Sequence, residues 1–364
     1  MGEIVEFAPA LTARPAPSPV TPSTGPPALG GGRIASARLG PFRLESGEVL
    51  PDLVVAYRHD GPPPPAPQVL VVHALTGSAD AAGDWWKPLI GPGRALDTGS
   101  VGVICANLLG GRYGTTGPTS VDARTGLPYG PGFPAVTTRD QARAIWALLA
   151  AVGIERVALV TGGSLGGMVA LESALEHPDR VGVVVPLAAP AATGALAMAW
   201  NHLQVRLVER LGAEGLALAR QLAMTTYRSE ADFDERFGRR IEADGRASVV
   251  SYLEHQGGKL VDRFDPESYR VLTRAMDSHD VGRDRGGATA AMGRLARSGV
   301  RLVGVGIEGD ILFGPEQVRA LVDAAAGAGV EATYWELRSV KGHDAFLVEW
   351  AQLGEVLRGA LTGA

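Results

Sequence analysis

VALVTGGSLGGMVALESAL, residues 157–175, contains the pattern that decides the fold. An apolar run typical of a buried strand leads into Gly162, Ser164 and Gly166, and a helix-like run follows them. These residues satisfy the Gly-x-Ser-x-Gly pattern, in which a sharp strand-to-helix turn strains the serine backbone and exposes its hydroxyl, so the neighbouring residues must be small. The pattern alone is common by chance, and a glycine-rich turn with a solvated serine is the alternative. The strand before it and the helix after it favour a catalytic nucleophile.

Apolar runs alternate with helical patterns through most of the chain. The runs that predict strands are residues 69–75, 101–107, 157–163, 181–188, 301–309 and 332–338. Several of them are apolar throughout, as strands covered on both faces must be. Residues 138–154 and 315–330 have the spacing of amphipathic helices. Such alternation predicts a mostly parallel sheet with helices on both sides.

Two segments depart from this alternation. Residues 1–40 are rich in Pro, Ala and Gly, and we predict a disordered tail there. Two strands joined by a turn are expected close to the end of the tail, in RLGPFRLESGEVLPDLVVAYRHDG, which begins at Arg38. Residues 190–289 are helical in pattern, and a helical block between two strands of a sheet predicts an inserted lid. The α/β core then comprises residues 41–189 and 290–364.

The composition excludes several classes of protein. The chain has 364 residues and a formal net charge of −5, with acids and bases interspersed, which argues against binding to nucleic acid or to a membrane surface. No apolar run reaches the roughly 18 residues of a membrane span. Glu3 and Glu6 stand where a secretory signal would have an apolar region. Cys105, the one cysteine, is expected to be buried without a disulfide, and together these features predict a cytoplasmic protein.

A nucleophilic serine needs a base and an acid that orients the base, and in strand-turn-helix sites of this kind they follow in the order Ser, Asp or Glu, His. His343 is the histidine that follows the last predicted strand, and Asp310 lies in the loop after an earlier strand. Glu308 competes with Asp310 but is expected to lie within the strand, and Asp344 is too close to His343 in sequence to orient the ring. We therefore assign Ser164 as nucleophile, His343 as general base and acid, and Asp310 as the orienting group.

The tetrahedral intermediate of such a reaction needs two hydrogen-bond donors. One is expected from the backbone amide of Leu165, directly after the nucleophile. The other is expected from the loop after an earlier strand, in VVHALTGS, where the amide of Leu75 is the candidate and Thr76 follows closely. His73 in the same loop is more readily explained as a structural histidine than as a catalytic one.

Several separate motifs resemble one known family. They are HALTGS, LIGPGRALDT, ANLLGGRYGTTGPTS, TGLPYGPGFPAVTTRD, GGSLGGM, LARQLAMTTYRS, SYLEHQGGKLVDRFD and GHDAFLVE, within residues 43–360. Together they resemble the homoserine O-acetyltransferase family. The resemblance implies an α/β-hydrolase fold with a helical lid, acyl transfer from acyl-CoA through Ser164 by a ping-pong mechanism, a homodimer formed through the lid helices, and a role in methionine biosynthesis. Acyl-CoA is the co-substrate, and neither a metal nor a permanently bound cofactor is expected.

The resemblance also implies which residues bind the acceptor. Arg220 and Tyr227 in LARQLAMTTYR and Asp344 in GHDAF are assigned to it. An arginine and an aspartate suit the carboxylate and the ammonium group of a hydroxy amino acid. The simpler alternatives are an exposed arginine on a lid helix for Arg220 and a helix N-cap for Asp344.

Some segments differ from the family pattern. A D-P-x-W-x-x-G-x-Y segment expected between the first two lid helices is absent, Arg112 stands where cysteine is frequent, and TTRD replaces TIRD. A shortened lid leaves the catalytic residues unchanged but leaves the acceptor open between homoserine, serine and another alcohol. The acyl group is likewise open between acetyl, propionyl and succinyl. A hydrolase that uses water, and a protein that only binds a partner, are the alternatives from other classes.

Overall fold

Eight strands form the central sheet of the computed structural model, which describes residues 29–363. They are β1 (Ile34–Arg43), β2 (Val49–Asp60), β3 (Gln68–Val72), β6 (Gly102–Ala106), β7 (Val157–Gly163), β8 (Val181–Leu187), β9 (Arg301–Ile307) and β10 (Ala332–Leu337), while the two-residue strands β4 (Ile90–Gly91) and β5 (Leu96–Asp97) pair separately. The order across the sheet is β1-β2-β6-β3-β7-β8-β9-β10. Strand β2 is antiparallel to both its neighbours, and the other pairs are parallel. The six predicted strands and the mostly parallel sheet are confirmed.

The helices divide into those that cover the sheet and those inserted before β9. The covering helices are α1 (Thr138–Ala151), α2 (Leu165–Glu176), α7 (Ala288–Arg297), α8 (Pro315–Gly327) and α9 (Trp350–Thr362). Alternate residues of β3 belong to two separate core clusters. Leu70 is part of the cluster that contains residues of α1, α2, α7 and α8, and Val71 is part of the cluster that contains residues of α9. The sheet is therefore covered on both faces, which explains why its central strands are apolar throughout.

The inserted helices lie between β8 and β9. They are α3 (Ala195–Tyr227), α4 (Glu230–Arg236), α5 (Ser248–Arg263) and α6 (Pro266–Asp277). Helix α3 is broken at Gly212, whose φ of 58° is left-handed, so two helical segments meet there without an intervening loop. This break lies in the stretch of sequence that lacks the D-P-x-W-x-x-G-x-Y segment. No helix within residues 29–363 is long and apolar enough to cross a membrane.

Two predicted boundaries need correction. The chain enters and leaves the insert side by side, through a bridge between Ala192 and Asp280 and a hydrogen bond from the Val281 amide to the Ala191 carbonyl (2.9 Å). The insert therefore ends near residue 280 instead of 289, and α7 packs on α2 and α8 of the core.

The second correction concerns the N-terminal tail. The sequence assigns residues 1–40 to it, but β1 already begins at Ile34 and pairs with β2 from there. Ahead of this strand, the amide of Gly30 donates to His59 Nδ1 (2.9 Å). Strand β1 is an edge strand with few buried side chains, and its stability comes from its partner β2 instead of a local apolar pattern. The part of the predicted tail before residue 29 lies outside the described residues.

Candidate active site

Ser164 lies in the turn between β7 and α2, and its backbone is strained. Its φ of 57° and ψ of −126° belong to a region that residues with a side chain rarely adopt. A Cβ on Gly162 would lie 2.6 Å from the carbonyl carbon of Gly166, and a Cβ on Gly166 would overlap the carbonyl oxygen of Val72. The glycines of the Gly-x-Ser-x-Gly pattern are therefore required by close backbone contacts, as the sequence predicts.

Asp310 and His343 form a buried pair on two loops at the ends of β9 and β10. Asp310 Oδ2 lies 2.7 Å from His343 Nδ1. The other carboxylate oxygen accepts the backbone amides of Leu312 (2.9 Å) and Phe313 (3.0 Å), which fixes its orientation. Glu308, the competing acid, is exposed to solvent. The structure thus selects Asp310 as the partner of His343.

The imidazole of His343 is held so that one nitrogen remains free. Burial by itself lowers the pKa of His343, but the charge of Asp310 and its hydrogen bond outweigh burial and raise the pKa above its ordinary value. Because Nδ1 is occupied by Asp310, Nε2 is the nitrogen available to a substrate or nucleophile, and it has no hydrogen-bond partner among residues 29–363. The rings of Phe313, Phe346 and Tyr227 surround the imidazole at centroid distances of 5.5, 5.6 and 5.7 Å.

Phe346 connects the His343 loop to the serine turn. Its ring contacts His343 on one side and approaches Gly163 so closely that a Cβ on Gly163 would overlap it. Gly163 immediately precedes Ser164 in the turn. The fold therefore brings the three predicted catalytic residues to one edge of the sheet, where Ser164 and His343 are 6% and 3% exposed.

The two predicted oxyanion donors lie at the same edge. The amide of Leu165 begins α2, and Leu75 lies in the loop after β3. Neither amide has a hydrogen-bond acceptor among the residues that the structure describes. His73 precedes Leu75 in this loop and has a structural role: its Nδ1 donates to the Ala74 carbonyl (2.7 Å) and its Nε2 accepts the amide of Leu108 (3.0 Å). Burial lowers the pKa of His73 to about 4, so its ring is neutral.

The residues assigned to the acceptor surround Tyr227, which packs against His343. The Arg220 guanidinium lies 5.3 Å from the Tyr227 ring centroid. Burial, together with the charge of Asp344, raises the pKa of Tyr227, and the charge of Arg220 acts in the opposite direction. Arg220 is part-buried, which does not fit a freely exposed lid-helix arginine. The N-cap alternative for Asp344 is wrong, because the short helix Gly342–Leu347 is capped at Lys341.

Sequence reasoning missed the charged residues that hold Asp344 and its loop. Arg228 Nε lies 3.1 Å from Asp344 Oδ2, and Arg228 Nη1 lies 3.6 Å from Asp232 Oδ2. Asp232 also accepts from Lys341 Nζ (2.6 Å), although it is 1% exposed. Arg228 directly follows Tyr227 in the TTYRS motif and could have been found there. The pairing of Asp232 with Lys341 has no signal in the sequence, because it joins the insert to a distant loop of the core.

Cysteine and possible metal ligands are the other groups that could take part in chemistry. Cys105 is buried in β6 without a disulfide, as predicted, and burial raises the pKa of its thiol. Within residues 29–363, no group of three or more His, Cys, Asp or Glu side chains is arranged to hold a metal ion.

The strand order, the strained serine turn and the Asp310–His343 pair define an α/β-hydrolase fold. The family model described as the alpha/beta hydrolase fold matches residues 67–321. An acetylester hydrolase from Corynebacterium glutamicum superposes with a TM-score of 0.79 over 91% of this chain and 96% of that one, at 21% identity, a likeness that concerns the fold alone.

Two further comparisons identify the family. A homoserine O-acetyltransferase of Thermus thermophilus is 46% identical over 317 residues, which is 79% of this chain and 80% of that protein. The solved structure of homoserine O-acetyltransferase from Staphylococcus aureus is 31% identical, with a TM-score of 0.78 over 90% of this chain and 95% of that one. The chain belongs to the homoserine O-acetyltransferase family, as the motif resemblance predicts.

Proposed function

We propose that this protein is an acyltransferase that moves an acetyl or other short acyl group from acyl-CoA to the hydroxyl of homoserine or a related amino acid. The observation that carries the proposal is the Asp310–His343 pair, whose free Nε2 lies at the same sheet edge as Ser164 in a chain of this family. A cytoplasmic role in methionine biosynthesis follows from the same assignment and remains a prediction.

The first half-reaction acylates the serine. His343 Nε2 takes the proton of the Ser164 hydroxyl while Oγ attacks the thioester carbonyl of acyl-CoA. The negative charge that develops on the carbonyl oxygen is stabilised by the amides of Leu75 and Leu165. The C–S bond then breaks, His343 returns the proton to the departing thiolate, and an ester remains on Ser164.

The second half-reaction transfers the acyl group to the acceptor. His343 Nε2 takes the proton of the acceptor hydroxyl, whose oxygen attacks the ester carbonyl. The bond to Ser164 Oγ breaks, and His343 protonates the serine. Because CoA leaves before the acceptor reacts, the kinetics are ping-pong.

The charges around Tyr227 support an amino acid as acceptor. Arg220 has no carboxylate within ion-pair distance among residues 29–363, so its guanidinium is available to a substrate carboxylate. Asp344 is oriented by Arg228 through one oxygen, and its second oxygen is free of ion pairs among the same residues. That oxygen suits the ammonium group. Homoserine and serine both carry this pair of charges and differ by one methylene group.

Hydrolysis is the second candidate, because water could replace the acceptor. The burial of Ser164 and His343, with Tyr227 of α3 packed against the His343 ring, favours transfer, since an acyltransferase must keep water from its acyl-enzyme. A mass-spectrometric screen of acetyl-, propionyl- and succinyl-CoA against homoserine, serine and water tests the assignment. We expect an O-acyl amino acid as the main product, and release of free acid alone would show a hydrolase.

A homodimer formed through the inserted helices is also part of the proposal. Helix α3 exposes a series of large apolar side chains, including Leu196 (61% exposed) and Leu203 (53% exposed). Exposed apolar surface of this kind is typical of an interface between subunits. Light scattering of the purified protein should give twice the mass of the chain, and a monomer would contradict this part of the proposal.

A further inference from the structure

Arg263, the last residue of α5, links the inserted helices to the oxyanion loop. Its Nη1 donates to the backbone carbonyl of Thr76 (2.8 Å), and its Nη2 donates to the Thr76 hydroxyl (3.3 Å). Among residues 29–363, the hydrogen bonds of this guanidinium go to Thr76 and Tyr113, and none goes to a carboxylate. Arg263 is therefore used as a donor to a loop, and its charge is not part of a surface ion pair.

Hydrogen bonds connect the backbone of Thr76 to the peptide group that contains the amide of Leu75, one of the two proposed oxyanion donors. The peptide group that carries the Thr76 carbonyl also contains the amide of Gly77, which donates to the carbonyl of Ala74 (2.9 Å). The Ala74 carbonyl in turn belongs to the peptide group of the Leu75 amide, and it accepts a second bond from His73 Nδ1 (2.7 Å). Because a peptide group is planar, holding the Ala74 oxygen fixes the direction of the Leu75 N–H.

The position of Arg263 is itself fixed by Tyr113. The Tyr113 hydroxyl donates to the Arg263 carbonyl (3.0 Å) and accepts from Arg263 Nη1 (3.2 Å). The Tyr113 ring packs edge-on against Phe264, which is the next residue of the insert. Tyr113 thus binds both the backbone carbonyl and the guanidinium of Arg263, and this fixes the guanidinium in position to donate to Thr76.

We propose that Arg263 is a positioning residue for the oxyanion hole. It holds the turn from Ala74 to Gly77 so that the amide of Leu75 points at the carbonyl oxygen of the bound acyl group, and it makes this geometry depend on the docked insert. The inference rests on the proposed acyl transfer through Ser164. It adds a residue outside the catalytic triad and outside the acceptor contacts Arg220, Tyr227 and Asp344.

The test is the rate of acyl-enzyme formation from acetyl-CoA in rapid-quench experiments on the full chain. Arg263→Met keeps an unbranched apolar stem but removes the guanidinium and its donors. We expect the acylation rate at saturating donor to fall by about 10²-fold, the scale of a lost or misplaced oxyanion donor, with little change in the donor concentration at half-maximal rate. Arg263→Lys retains a donor for the Thr76 carbonyl and should recover most of the rate.

Two further variants test whether the loss of rate is specific to the contact between Arg263 and Thr76. Arg246→Met removes an exposed arginine of the same insert, paired with Asp244 and Glu254, and should acylate as fast as wild type. Thr76→Val removes only the hydroxyl acceptor and should lose a few-fold in rate, with a non-additive effect when combined with Arg263→Met.

Three outcomes would overturn the inference while leaving the proposed function intact. The first is an Arg263→Met enzyme that acylates at the wild-type rate. The second is an unchanged maximal rate with a higher half-saturating donor concentration, which would make Arg263 a donor-binding residue. The third is a double variant with Thr76→Val whose loss of rate equals the sum of the two single effects in free energy. Failure of the proposed function has a different signature, because the wild-type enzyme itself would then form no acyl-enzyme.

Discussion

Replacing Asp310 by asparagine should disable His343 without disturbing its position. In the structure, one oxygen of Asp310 accepts the amides of Leu312 and Phe313, and the other faces His343 Nδ1 at 2.7 Å. The oxygen of an asparagine must remain on the two amides, so its NH₂ group faces Nδ1. The ring is then forced into the tautomer that carries its proton on Nε2, which cannot accept the proton of Ser164.

The size of the effect follows from this loss of the correct tautomer. We expect acylation by acetyl-CoA to slow by about 10⁴-fold in Asp310→Asn, which corresponds to about 5 kcal/mol of activation free energy. Glu308→Gln, two residues earlier and exposed, makes the same chemical change outside the site and should leave the rate unaltered. Rapid-quench measurement of the acyl-enzyme separates this step from transfer to the acceptor.

The pH profile gives a second readout of the same pair. His343 acts as a base only when it is neutral, so acylation should rise with pH through the pKa of His343. In the wild type, Asp310 raises that pKa above its ordinary value, and losing the carboxylate charge should move the midpoint to lower pH. An Asp310→Asn enzyme with a rate within tenfold of wild type, or with an unmoved midpoint, would refute the assigned role of Asp310.

Three other predictions concern the serine turn, the acceptor and acid stability. Gly166→Ala places a Cβ against backbone atoms of β3 and the residue after it, and should destabilise the protein by about 3 kcal/mol or more in urea titrations. Gly258→Ala, on the exposed side of helix α5, meets nothing within 4 Å and should stabilise the protein slightly, by up to about 1 kcal/mol. A Gly166→Ala protein as stable as wild type would show that the turn is not tightly packed. Arg220→Ala and Asp344→Ala should acylate normally but transfer to homoserine about 10²-fold more slowly, and unchanged transfer in single-turnover assays would exclude both as acceptor contacts. The pKa of His73 falls from 6.5 to about 4 on folding, so between these pH values the unfolded chain binds a proton that the folded chain does not. The free energy of unfolding should therefore fall by up to about 3 kcal/mol as pH drops from 6.5 to 4. An equally steep fall in His73→Asn would assign the effect to other groups.

The sequence predicts the central sheet well because its strands have strong local signals, and similar signals lead to the strained turn at Ser164 and to the buried Asp310–His343 pair. Strand β7, which leads into Ser164, and its neighbours β3 and β8 are buried on both faces, so they are largely apolar. The Gly-x-Ser-x-Gly pattern is required by close backbone contacts of the turn. Asp310 and His343 could be found because each follows a predicted strand in the expected order.

The features that sequence reasoning missed depend on contacts between distant segments. Strand β1 is an edge strand stabilised by its pairing with β2, so its first residues lack the apolar pattern that marks the central strands. The ion pair of Asp232 with Lys341 and the hydrogen bonds of Arg263 with Thr76 both join the insert to loops of the core. A charged residue on a helix gives no local sign of such a partner, and only the folded chain reveals it.

The account depends most directly on a covalent acyl group carried by Ser164. Intact-protein mass spectrometry after mixing with acetyl-CoA, without an acceptor, measures it, and peptide mapping locates the modified residue. We expect wild type to gain the mass of one acetyl group on the peptide that contains Ser164 and to lose it when homoserine is added, whereas folded Ser164→Ala gains nothing. A wild-type enzyme that acetylates homoserine without this intermediate, or a Ser164→Ala variant that transfers at the wild-type rate, would contradict the mechanism.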